Sequence, residues 1–71
     1  MMATWYEIQN GGFIDIGWYK TEAYYEHQKP AEFNDQQWLA YVKQQLEEFR
    51  HNKPDLIWRL VEITRTEREI V

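Results

Sequence analysis

The sequence predicts a small α+β domain: a three-stranded antiparallel sheet of β-β-α-β order with one amphipathic helix packed on one face. Three observations carry this. Two β-branched and aromatic runs flank Asn10-Gly11-Gly12, one apolar stripe recurs at helical spacing from Leu39 to Phe49, and a last run of strand formers follows Pro54. Strands need β-branched and aromatic residues on a pleated, half-buried surface, and a helix needs an apolar stripe every three or four residues.

The first run is Thr4-Trp5-Tyr6-Glu7-Ile8, read as a strand. Asn10-Gly11-Gly12 supplies the positive φ angles of a tight hairpin turn. Phe13 to Tyr19 is then the return strand, with Ile14, Ile16 and Trp18 on one face and Phe13, Asp15 and Tyr19 on the other. Gly17 marks a bulge or a close backbone approach. Lys20 to Phe33 admits a short helix or a continued strand up to Pro30, and is read as a loop containing one helical turn.

The helix is the best-signalled element. Asn34 is an N-cap with Gln37 as its capping-box partner, and Asp35 suits the positive end of the dipole. Leu39, Val42, Leu46 and Phe49 form the buried face. Arg50 and His51 suit the last turn, Asn52 suits the position after it, and Pro54 forbids continuation. The expected helix runs from about 35 to about 51. In the last strand Ile57, Val61 and Ile63 share one face and Trp58 and Leu60 the other. The expected core joins the helix face to Ile8, Ile14, Ile16, Val61 and Ile63. The polar tail from Thr64 to Glu69 extends the strand past the body of the domain.

Length and composition bound what such a domain can do. Seventy-one residues are one domain, spanning 1–71, and too few for a generous core. There is no cysteine, which excludes disulfides and thiolate metal sites. No apolar run approaches the roughly 20 residues of a membrane helix, and Met1 to Trp5 lacks the pattern of a signal peptide, so the expected location is the cytoplasm, with no membrane partner. The net charge is −4, all of it within residues 1–37, where six acids face two lysines. An acidic half repels phosphate backbones and argues against general nucleic-acid binding.

Catalytic motifs are not found. The chain has no serine, and its threonines (Thr4, Thr21, Thr64 and Thr66) sit in no nucleophile motif. Glu22, Glu26 and His27 would converge on a metal only if that stretch were helical, and a solvated acidic face explains them better. His51 complements the helix dipole. Glu47-Glu48 is a solvated flank, and Gly11-Gly12 is no phosphate cradle. The expectation is therefore a protein with no enzyme activity, no cofactor and no metal.

The aromatic content is the informative feature. Four tryptophans, five tyrosines and three phenylalanines exceed what one small core uses. Trp18, Tyr19, Tyr24, Tyr25 and Trp38 are the candidate partner-binding anchors, because surface Trp and Tyr anchor interfaces. The competing reading is an aromatic-rich core and rim. Trp58, Arg59 and Arg65 form a second candidate group, able to stack on and neutralise an anionic ligand. Its competitor is a charged edge strand that resists aggregation.

The last segment, Trp58 to Val71, resembles the C-terminal strand of small phage and prophage accessory proteins. Their plan is an N-terminal hairpin, an amphipathic helix, and a final strand with an Arg-hydrophobic-Val core and a Thr/Arg/Glu tail. The resemblance assigns no residue roles. It implies a non-catalytic inhibitor or modulator of a host enzyme or antiviral defence complex, acting by direct protein contact in the host cytoplasm. Its alternative is a homo-oligomer that sequesters a nucleotide or nucleotide-derived signal. A homo-oligomer is also expected from a sheet with one uncovered face.

Overall fold

Chain order in the computed structural model is β1 (Trp5–Phe13), β2 (Gly17–Tyr25), a 3₁₀ turn (Glu26–Gln28), α1 (Asp35–Asn52), β3 (Trp58–Ile63) and β4 (Glu67–Glu69). The structure describes residues 4–13, 17–64 and 67–70, with backbone placement alone for Phe13, Glu67 and Arg68. All pairings are antiparallel, and the sheet order is β2-β1-β3-β4. The expected three-stranded α+β sheet with the first strand inside is therefore present, extended by one short strand at its edge. The Cα envelope measures 15 Å in its shortest direction, room for one helix over one sheet and no third layer.

The helix forms where local signals place it. Asn34 accepts from the Gln37 amide at 2.8 Å, and Gln37 Oε1 accepts from the Asn34 amide at 2.8 Å. Its far end differs slightly. Asn52 is the last helical residue, and Lys53 closes the helix by donating its amide to the Phe49 carbonyl, with no left-handed residue.

The first hairpin departs from expectation. Asn10-Gly11-Gly12 lies within β1, not at the turn, and the connection falls in 14–16, outside the described residues together with Ile14, Asp15 and Ile16. The glycines do use positive φ, 124° at Gly11 and 73° at Gly12, but for a bulge. Gly11 pairs with Trp18 and Phe13 with Gly17, so Gly12 is the extra residue. A second bulge sets Ile8 opposite Glu22 and Gln9 opposite Lys20, leaving Thr21 over; Asn10 Nδ2 donates to its hydroxyl. The span 20–25, expected as loop, continues β2, and only Glu26–Gln28 forms a helical turn.

The last segment also departs, in two ways. The chain bends at Thr64, and β4 pairs back on β3 rather than extending outward. The alternation along β3 is as expected but the opposite face is inward: Trp58 and Leu60 face the helix, while Val61 and Ile63 lie on the other face opposite Glu7 and Trp5. The indole of Trp58 accounts for this. It stacks on Phe49 with centroids 5.2 Å apart and donates to the Lys53 carbonyl at 2.9 Å, joining the strand to the helix end.

The core between helix and sheet is Ile8, Trp38, Val42, Leu46, Trp58 and Leu60, with Tyr6, Tyr24, Phe33, Leu39 and Phe49 half-buried against it. The expected helix face is present, with Trp38 added. Among the described residues no layer covers the sheet's other face, yet it is not bare. Val61 there is 0% exposed and Gln9 6%. Glu7 and Arg59 flank Gln9 there through hydrogen bonds.

Candidate functional site

The two largest core residues answer part of the aromatic surplus. Trp38, expected as an anchor, is 7% exposed and stacks on Tyr41 at 5.5 Å and 9°. Trp38 stands four residues before Val42 and eight before Leu46, so helical spacing places it on the buried stripe, ahead of the half-buried Leu39. Trp58, expected as a ligand-stacking residue, is also 7% exposed and belongs to the same core. Neither is an accessible surface group.

The other four anchors share one element. Trp18, Tyr19, Tyr24 and Tyr25 all lie on β2, the outermost strand, and none is buried. Pairing with β1 fixes their faces. Trp18 opposite Gly11 and Tyr25 opposite Trp5 stand on the open face; Tyr19 opposite Asn10 and Tyr24 opposite Tyr6 stand on the helix side. Tyr19 is 52% exposed. An edge strand thus presents two aromatic side chains on each face.

On the open face these aromatics are held by a continuous polar belt. Trp5 Nε1 donates to Glu7 Oε2 at 2.8 Å, and Gln9 Nε2 donates to Glu7 Oε1 at 3.0 Å. Arg59 Nε donates to Gln9 Oε1 at 2.8 Å, and its guanidinium lies 4.2 Å from the Trp18 ring centroid. Arg59 also faces Glu69 at 3.5 Å. The nearly buried Gln9 amide therefore links the Trp5 end of the face to the Trp18 end. Trp5 packs on Tyr25 at 5.7 Å, and Tyr25 stacks on His27 at 5.6 Å. Fixing these rings in the free protein lowers the ordering cost of a contact made through them.

On the helix side, β2 lies beside the flank of α1. Tyr24 meets Tyr41 edge-on at 6.3 Å and Trp38 at 6.2 Å. The Tyr24 phenol is pushed up to about 12, first by burial and then by the nearby negative charge of Glu22, by Tyr41 and by Glu48. Tyr41 is 39% exposed and stands beside Tyr24 on this side. In the sequence, its position next to the apolar stripe was the only signal available.

The second candidate group is not assembled as expected. Trp58 and Arg59 are strand neighbours and point to opposite faces, so they cannot clamp one ligand. Trp18 takes the stacking place beside Arg59 instead. Arg65 lies outside the described residues. Among the described residues no group of three potential metal ligands converges. Glu22 is on β2, Glu26 is in the 3₁₀ turn, and His27 is stacked on Tyr25. A cleft of about 240 Å³ opens by the helix N-terminus, lined by Thr4, Tyr6, Glu26, Asp35 and Trp38. Asp35 there already accepts from Lys29 Nζ at 2.7 Å, and that bond holds the Lys29 ammonium above its ordinary pKa. No helix among the described residues is long and apolar enough to cross a membrane. Comparison with protein-family models, with curated proteins and with solved structures gives no match, so the arrangement on β2 stands on its own chemistry.

Proposed function

We propose that the chain is a non-catalytic binding protein that engages a protein target through edge strand β2. The observation that carries this is the division of the aromatics. The core takes Trp38 and Trp58, while Trp18, Tyr19, Tyr24 and Tyr25 lie together on one outer strand, Tyr19 exposed and the other three half-buried. Aromatic side chains packed by neighbours on a rigid element have the character of interface anchors. The acidic first half supplies electrostatic guidance toward a basic surface, such as a groove that ordinarily holds nucleic acid. With the phage-type resemblance of the last segment, this describes an accessory inhibitor or modulator of a host enzyme or antiviral defence complex, acting in the host cytoplasm. Affinity capture from host-cell lysate tests it. One protein should be retained by the parent chain and lost with Trp18→Ala or Tyr25→Ala, each weakening binding by about 2 kcal/mol or more. Retention unaffected by both substitutions would overturn the assignment to β2.

Self-association belongs to the same proposal, because among the described residues no layer covers the open sheet face. Light scattering at micromolar concentration decides it: a mass above one chain supports it and a single-chain mass removes it. The nucleotide-sequestering alternative has less support. It needs Trp58 at the surface and Arg59 directed at a phosphate, whereas Trp58 is in the core and Arg59 is engaged by Trp18, Gln9 and Glu69.

A further inference from the structure

The seam on the helix side where β2 meets the flank of α1, termed the trough, has a chemistry of its own. Its walls are the helix-facing residues of β2, Tyr19, Glu22 and Tyr24, and the flank of α1 that carries Tyr41 and Glu48. We propose that this trough seats a basic segment of the protein target, taking an arginine or lysine side chain between its tyrosines and carboxylates. The inference rests on the target being a protein and adds which chemistry its contact segment carries.

Charge complementarity is the first support. Glu22 and Tyr24 lie on the same side of β2, Tyr24 meets Tyr41 of α1, and Glu48 follows Tyr41 by seven residues on the same helix flank, so both carboxylates border the tyrosine pair. Beyond burial, their charge helps keep the Tyr24 phenol un-ionised. Glu48 has no hydrogen bond or ion pair among the described residues, and Glu22 accepts only from the adjacent Ala23 amide, at 3.4 Å. The lysines and arginines of β2, of α1 and of the loop between them are elsewhere. Lys43 and Arg50 follow Tyr41 by two and nine residues, about 200° and 180° around the helix and on its far flank. Lys20 pairs with Gln9 on the opposite sheet face, and Lys29 is bonded to Asp35. Exposed tyrosine faces supply the second support. Tyr19 and Tyr41 present rings to solvent beside these carboxylates, and a guanidinium or ammonium is attracted to both kinds of group. An anionic segment would meet repulsion at the same place, which excludes nucleic acid as the favoured occupant.

The test uses the full chain, uniformly ¹⁵N-labelled, titrated with a hexa-arginine peptide and with hexa-glutamate as the opposite-charge probe. Hexa-arginine should shift the amides of Glu22, Tyr24, Tyr41 and Glu48 well before those of β4, and hexa-glutamate should shift none of them. Glu22→Gln and Glu48→Gln should each weaken the peptide by about two- to fivefold, the scale of one exposed ion pair. Glu32→Gln removes the same net charge outside the trough and should change affinity less than that. All three residues are exposed, so folding is preserved. Equal losses from all three substitutions, or shifts spread over the whole surface, would overturn the proposal in favour of general charge attraction. Shifts of the same trough amides on simple dilution would overturn it in favour of a second copy of the chain. Because the peptide titration needs no target, a failure here leaves the capture experiment on Trp18 and Tyr25 to judge the broader proposal separately.

Discussion

Gln9→Leu should unfasten the open sheet face. The native residue is 6% exposed, and among the described residues its amide bonds two charged partners, donating to Glu7 at 3.0 Å and accepting from Arg59 at 2.8 Å. Each such bond contributes about 1.5–3 kcal/mol when its partner cannot be resolvated. Glu7 is half-buried and regains some water, and leucine adds buried apolar surface, so the net loss is about 2–3 kcal/mol. Urea unfolding reads it directly. With a slope of about 1 kcal/mol/M for so small a domain, the midpoint should fall by about 2–3 M. The indole Nε1–H signal of Trp5 should move as well, since Glu7 loses one of the two donors that orient it. Gln9→Glu gives a signed version. The new carboxylate can pair with Arg59 but faces Glu7, so its folded-state pKa is raised above the ordinary value near 4.3. Its deficit relative to the parent is therefore largest at neutral pH, and shrinks as pH falls through that raised pKa. A Gln9→Leu midpoint within about 0.5 M of the parent would refute the belt as a structural element. So would a Gln9→Glu deficit independent of pH.

Leu46→Ala should destabilise by about 2–5 kcal/mol in the same denaturant assay, since Leu46 is fully buried among Trp58, Leu60 and Val42 in the core cluster. Gly12→Ala should cost about 1–3 kcal/mol and shift tryptophan emission, because its Cβ would come within 2.8 Å of the Trp18 ring at a φ of 73°. Asn34→Ala should cost about 1 kcal/mol through the lost cap on the Gln37 amide. Ultraviolet titration of the tyrosines should show one phenol ionising near pH 12. A raised folded-state pKa means that Tyr24 contributes stability fully present below its unfolded value of 10.0, lost as pH rises toward about 12. Tyr24→Phe should remove that late step.

The helix was legible because its signals are local. Asn34, Gln37 and the Leu39-to-Phe49 spacing all act within a few residues, and the cap bonds form as the pattern requires. The hairpin was misread because positive-φ glycine serves a bulge as well as a turn. Nothing near Gly11 and Gly12 says whether the partner strand begins at once or four residues later. The face of β3 was misread for a different reason. Val61 and Ile63 look more core-like than Trp58, but the contact of Trp58 with Phe49 and Lys53 is between elements and leaves no mark in local periodicity. Of the site, the identity of the four β2 anchors was legible from the aromatic surplus. That they share one edge strand was not, since Lys20 to Tyr25 lacks clean alternation and carries the Thr21 bulge.

The most direct test of binding through β2 is site-specific photo-crosslinking in host-cell lysate. A benzophenone amino acid replaces Tyr19 on β2 in one sample and Lys43 on the far flank of the helix in the other, both exposed positions. Contact through the edge strand predicts a single protein adduct from position 19 and none from position 43. An adduct from position 43 alone, or the absence of any adduct from position 19 while capture still retains a target, would contradict it.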